Sequence, residues 1–98
     1  MTHSHDHPEL PELTRLRGKI EENDRALVDV VRRRVELALE AGRIKRAAGI
    51  PVFDPDRERE VEQRVLEYAQ RCGLDEAHMR LVVRGLIALA RSSQEKEP

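Results

Sequence analysis

Between Leu13 and Ala48 the chain contains no proline. Positions 13, 16, 20, 23, 27, 30, 34, 37, 41, 44 and 48 alternate steps of three and four, and only Asn23 and Arg34 among them are polar. Apolar residues at this spacing mark one face of a long helix with heptad-like character. At 1.5 Å per residue such a helix is roughly 50 Å long, whereas a compact globule of this chain length is roughly 30 Å across. The remainder of the chain therefore cannot cover the whole stripe. Two arrangements meet that constraint. A second copy covers the excess in a symmetric, interlocked homodimer, or the helix breaks near Gly18 or Asn23 to give a four-helix monomer. The homodimer is the expectation.

Composition narrows the class. With 98 residues, one domain is expected, and aromatic residues at 2% leave a core of Leu, Val, Ile and Ala. The abundance of Ala, Leu, Glu and Arg favours helix over strand. A net charge of −1 gives no basic bias toward nucleic acid. Cys72 is the only cysteine, so an intrachain disulfide and a thiolate metal cluster are both excluded, which fits a reducing cytoplasm. No segment reads as a signal peptide or membrane span, and a soluble cytoplasmic protein is expected.

Punctuation sets the remaining elements. Residues 1–12, with Pro8, Pro11 and His3, His5 and His7, read as a disordered tail. The histidines could chelate adventitiously, but no second ligand cluster exists to close a metal site. Gly49 and Pro51 end the first helix, and Asp54–Pro55 reads as an N-cap with proline at the first helical position. The second helix carries Val61, Val65, Tyr68 or Ala69, and Cys72 on its apolar face, and Gly73 stops it. Asp75 caps a third helix with the stripe Met79, Val83, Ile87, Ala90 and Gln94. His78 reads as an exposed helix residue. Residues 95–98 are expected to be a disordered end, so the helical domain spans 13–94, all-α with three helices.

The first helix turns two cations toward its apolar side. Arg34 and Lys45 are eleven residues apart, close to three whole turns, and only Ala38, Ala41 and Gly42 lie between them on that face. Two readings are open: long side chains snorkelling past a loose seam, or cations lining a hollow floored by small residues. Arg57 and Glu58 lie in the first turn of the second helix, where the backbone is electrostatically positive. Gln94 extends the third stripe by a turn. A pocket built this way suits a small polar dianion. The sequence holds no Ser-His-Asp or Cys-His arrangement, so chemistry here would rest on placement and electrostatics, without cofactor or metal.

The run "LRGKIEENDRALVDVVRRRVELALEAGRIK", the block "VFDPDRERE" and a third helix ending in "SSQ" together resemble the all-helical class of chorismate mutase. The resemblance covers about Leu10 to Gln94. It implies an interlocked homodimer that converts chorismate to prephenate by an intramolecular Claisen rearrangement, in a stand-alone enzyme without a fused regulatory domain. Arg34, and Arg17 from the partner chain, would hold the two carboxylates. Lys45 and Gln94 would hydrogen-bond the ether oxygen, and Glu58 would accept from the ring hydroxyl. Arg57 would sit beside Glu58, and Asp54 would shape that corner. Ala90 stands where many members carry a serine that helps hold a carboxylate. Isochorismate pyruvate-lyase and aminodeoxychorismate mutase use similar pockets and are the alternatives on this scaffold. A non-catalytic helical dimerisation or regulatory module is the alternative from another class.

Overall fold

The computed structural model describes residues 10–98. Three helices follow in order: α1 over Pro11–Ala47, α2 over Pro55–Arg71 and α3 over Glu76–Glu95. Among the described residues there is no strand, and no helix is long and apolar enough to cross a membrane. His3, His5 and His7 lie outside the described residues. The chain divides into two units, with the boundary between Arg32 and Arg33.

The first unit contributes residues 10–32. The Leu10 carbonyl accepts from the Leu13 and Thr14 amides, and helix begins at Pro11. A proline at the first helical position loses no hydrogen bond, because that N–H would be unsatisfied anyway. The helix runs unbroken through Gly18 and Asn23, so the expected alternative of a break there does not hold. Along this segment Leu16, Ile20, Leu27 and Val30 are exposed, Ile20 at 59% and Val30 at 66%.

The second unit, residues 33–98, contains the end of α1 and the α2–α3 hairpin. Its helix ends follow the expected chemistry. Gly49 adopts φ 71°. The Ile50 amide donates to the Lys45 carbonyl at 2.8 Å, and the Gly49 amide to Arg46 at 3.2 Å. That pair of bonds is a Schellman stop. Gly73, at φ 77°, repeats it through Leu74 to Ala69 and Gly73 to Gln70, both at 3.0 Å. Asp54 caps α2 by accepting from the Arg57 amide at 3.1 Å. Asp75 caps α3 by accepting from His78 at 3.0 Å.

Helices α2 and α3 pack against each other, with Ala69, Val83 and Ala90 buried at the seam. On α2 the covered face steps through Val61, Val65 and Ala69, while Tyr68 and Cys72 are exposed. The expected place for Cys72 on the apolar face is therefore corrected. It is the C-cap, where the chain leaves the seam to turn. Ion pairs Glu58–Arg91 and Glu62–Arg84 run along the hairpin in antiparallel order. The chain end is tied down as well. Glu97 pairs with Arg43 at 2.7 Å and Arg46 at 3.1 Å, and Glu95 is helical. Two guanidinium groups on the last turns of α1 thus hold the Glu97 carboxylate.

Within this unit the covered side of α1 is Val35, Ala38, Leu39 and Gly42, whereas Leu37, Ala41 and Ile44 of the apolar stripe are exposed. At 100° per residue the centres of the two faces are offset by roughly 140°. Helix α1 thus presents one face to the hairpin and leaves its most regular apolar stripe uncovered.

Candidate active site

The border between those two faces of α1 opens into a pocket of about 310 Å³. Arg34, Ala38, Ala41 and Lys45 supply the α1 wall. Asp54, Arg57 and Glu58 supply the wall from the start of α2, and Ala90, Arg91 and Gln94 the wall from α3. Seven residues singled out from sequence therefore line one hollow: Arg34, Lys45, Asp54, Arg57, Glu58, Ala90 and Gln94. Arg17 belongs to the first unit. Gly42, expected in the pocket floor, is instead buried beneath Gln94, whose Cγ lies 3.5 Å from where a Cβ would stand.

Each polar side chain is positioned by a local cause. Arg34 Nη1 donates to the Leu86 carbonyl on α3 at 3.3 Å. Lys45 Nζ lies 3.4 Å from the Val52 carbonyl, which the Schellman turn at Gly49 brings back over the helix end. Among the described residues, neither Arg34 nor Lys45 has a carboxylate partner. A guanidinium has five N–H donors and an ammonium three, so both cations keep donors for a ligand. Gln94 Nε2 donates to the Ala38 carbonyl at 2.7 Å.

The opposite corner is more fully paired. The Asp54 carboxylate is engaged in capping α2. Arg57 Nη1 reaches Glu60 at 3.4 Å. Glu58 is held by both arms of Arg91, at 2.5 and 3.3 Å, and the Arg91 guanidinium sits over the Phe53 ring, 4.2 Å from its centroid. Arg91 was missed in the sequence. The available signal was its step of four from Ile87 and three from Gln94, which places it on the edge of the α3 stripe.

The lining carries four cations, Arg34, Lys45, Arg57 and Arg91, against two carboxylates, Asp54 and Glu58. That leaves an excess of two positive charges, matched to a dianion. His78 is exposed on α3 with Nδ1 2.5 Å from Asp75 and takes no part in the pocket.

Comparisons with known proteins show the family. Residues 16–95 match the family model for chorismate mutase type II. Over 68 residues the chain is 40% identical to the 4-amino-4-deoxychorismate mutase of Streptomyces venezuelae, covering 69% of this chain and 66% of the relative. It is 35% identical over 68 residues to the protein of the same name from Streptomyces pristinaespiralis, covering 69% of this chain and 53% of the relative. It is 31% identical over 67 residues to the chorismate mutase of Methanocaldococcus jannaschii, covering 68% of each chain. The match thus spans just under two thirds of the first relative and about half of the second.

Proposed function

Because the chain belongs to the chorismate mutase type II family, we propose that it rearranges chorismate to prephenate by electrostatic and conformational stabilisation of the transition state. The observation that carries the reading is the meeting of Arg34, Lys45 and Gln94 on one pocket, with both cations free of carboxylate partners among the described residues. In the reaction one C–O bond breaks as one C–C bond forms within the same molecule, so no nucleophile, proton donor or cofactor is required. The enzyme's task is to hold the compact conformer and to meet the negative charge that grows on the ether oxygen.

Arg34 binds a carboxylate, for which its planar fork is suited. Lys45 and Gln94 donate to the ether oxygen, and their contacts strengthen in the transition state, where stabilisation raises the rate. Glu58 accepts from the ring hydroxyl, with Arg57 and Asp54 shaping that end. Ala90 offers no hydrogen bond, so the adjacent carboxylate relies on the cations alone.

The functional unit is a homodimer. The support is the exposed stripe on α1, where Leu16, Ile20, Leu27, Val30, Leu37 and Ile44 all face solvent in the single chain. Isolated apolar side chains on a surface need no explanation, but a regular row of them marks an interface. A second copy covering the stripe would also close the pocket, since Leu37 and Ala41 border both. Arg17 is then supplied to the partner's site. We assign the enzyme to the cytoplasm, in keeping with a free, exposed Cys72.

The names of the two Streptomyces relatives favour a second reading, in which 4-amino-4-deoxychorismate is the substrate. Incubating the purified protein separately with chorismate, isochorismate and 4-amino-4-deoxychorismate, then identifying products, decides among them. Prephenate from chorismate supports the main reading. Pyruvate released from isochorismate, with chorismate untouched, moves the assignment to a lyase. No turnover of any of the three would favour a non-catalytic helical partner.

A further inference from the structure

Glu58 is a clamped carboxylate. Arg91 Nη2 meets one oxygen at 2.5 Å and Nε meets the other at 3.3 Å. The guanidinium is backed by the Phe53 ring, 4.2 Å away. The pair is reached from α2 and α3, so neither helix alone sets it. Both side chains line the pocket that holds Arg34, Lys45 and Gln94, and both remain partly exposed, so a ligand there meets them directly.

Two consequences follow from this pairing. A two-armed guanidinium fixes the plane and rotamer of the carboxylate, yet each oxygen retains a second lone pair that can accept from a hydroxyl. The charge of Glu58 is also offset by a cation in direct contact. A lone carboxylate would draw in a substrate ammonium, but a carboxylate already paired with a guanidinium presents that ammonium with a like charge beside it. A neutral hydroxyl suffers no such repulsion. Arg57, at the same end of the pocket, adds positive charge of the same sign.

We infer that Arg91 is a positioning and specificity-determining residue: by clamping Glu58 it fits this corner to a ring hydroxyl and against a ring ammonium. The inference rests on the proposed function, with Glu58 at the ring substituent. It deepens that reading by assigning the 4-hydroxy substrate over the 4-amino one. An allylic amine is protonated near neutral pH, so the two substrates differ at this point by a full charge.

The test compares wild type, Arg91→Met and Arg91→Lys on chorismate and on 4-amino-4-deoxychorismate, measuring kcat and KM for each. Circular dichroism and a melting curve establish that each variant is folded. Wild type should prefer chorismate. Arg91→Met should move the ratio of kcat/KM toward the amino substrate by about tenfold or more, because removing a like charge and freeing Glu58 act in the same direction. The shift should fade as pH rises through the amine's pKa. Arg91→Lys, which keeps the cation, should retain most of the wild-type preference. Equal losses on both substrates, or an unchanged ratio, overturn the inference while leaving the functional reading intact. A wild type that prefers the amino substrate overturns it too. A folded wild type inert toward both substrates overturns the functional reading and this inference together.

Discussion

Gln94 crosses over Gly42 to reach the Ala38 carbonyl, donating from Nε2 at 2.7 Å. A carbonyl can only accept, so this bond fixes which end of the carboxamide faces α1. The nitrogen has two hydrogens, and the second stays available to the pocket. Helix α3 therefore delivers an oriented donor beside Lys45. Gln94→Leu keeps the bulk and removes the donor. Its kcat should fall by about a hundredfold or more, the usual loss for one preorganised donor. Helix content should be unchanged by circular dichroism. A variant with parental kcat would remove Gln94 from the chemistry.

Gly42 gives a sharper test of how α1 and α3 meet. A Cβ added there would lie 3.5 Å from Gln94 Cγ and 3.6 Å from Nε2, which is ordinary van der Waals contact. Alanine inside a helix is better than glycine by roughly 0.5–1 kcal/mol. Gly42→Ala should thus raise the melting temperature and leave kcat within about twofold, given how small the perturbation of Gln94 is. A lower melting temperature would mean that the helices approach more closely than this.

If each site draws Arg34 from one chain and Arg17 from the other, two inactive variants can rescue each other. Arg17→Ala and Arg34→Ala homodimers should each be nearly inactive. After unfolding and refolding as an equal mixture, half of the dimers are mixed. One of their two sites carries both lesions and the other none. Activity should recover to about a quarter of the parental value by this symmetry argument. No recovery, with mixed dimers verified by mass, would place both arginines in the same chain's site or outside it.

The hairpin should lose stability in acid through Glu62. Its hydrogen bond to Arg84 holds the carboxyl below its ordinary value of 4.5, helped by the charges of Arg84 and Arg80 and opposed by desolvation. A depressed carboxyl contributes stability that is fully present above its unfolded pKa and is lost as pH falls through the folded one. Thermal unfolding of wild type and Glu62→Gln should differ at neutral pH. The two curves should converge once the pH drops below the folded pKa of Glu62. Asp75, lowered by the backbone and side-chain bonds to His78, titrates in the same direction in both proteins and cancels from the comparison. A difference that persists unchanged into strong acid would assign the effect to packing.

Much of this arrangement was legible in the sequence because the residues involved act locally. Gly49 and Gly73 stop helices through their own positive φ, and Asp54 and Asp75 cap through bonds spanning three residues. The seven pocket residues were found because helical spacing places them and a resemblance ties them together. What sequence did not reveal depends on long-range geometry. The apolar stripe of α1 pointed to Leu37, Ala41 and Ile44, but the face turned to the hairpin is Val35, Ala38, Leu39 and Gly42. Periodicity adds up every apolar demand on a helix and does not say which partner meets which. Arg91 was missed because its partner, Glu58, lies 33 positions away in the chain. Glu97 looked like part of a frayed end until Arg43 and Arg46 met it.

In the proposed reaction Lys45 is the donor that meets the oxygen's growing charge. The most direct measurement is the rate of prephenate formation from chorismate by wild type and by Lys45→Ala, each folded and of the same oligomeric state. Wild type should turn chorismate over, and the variant should lose about 3–4 kcal/mol of transition-state stabilisation, a fall of a few hundredfold or more. A Lys45→Ala protein that forms prephenate at the wild-type rate would contradict the account.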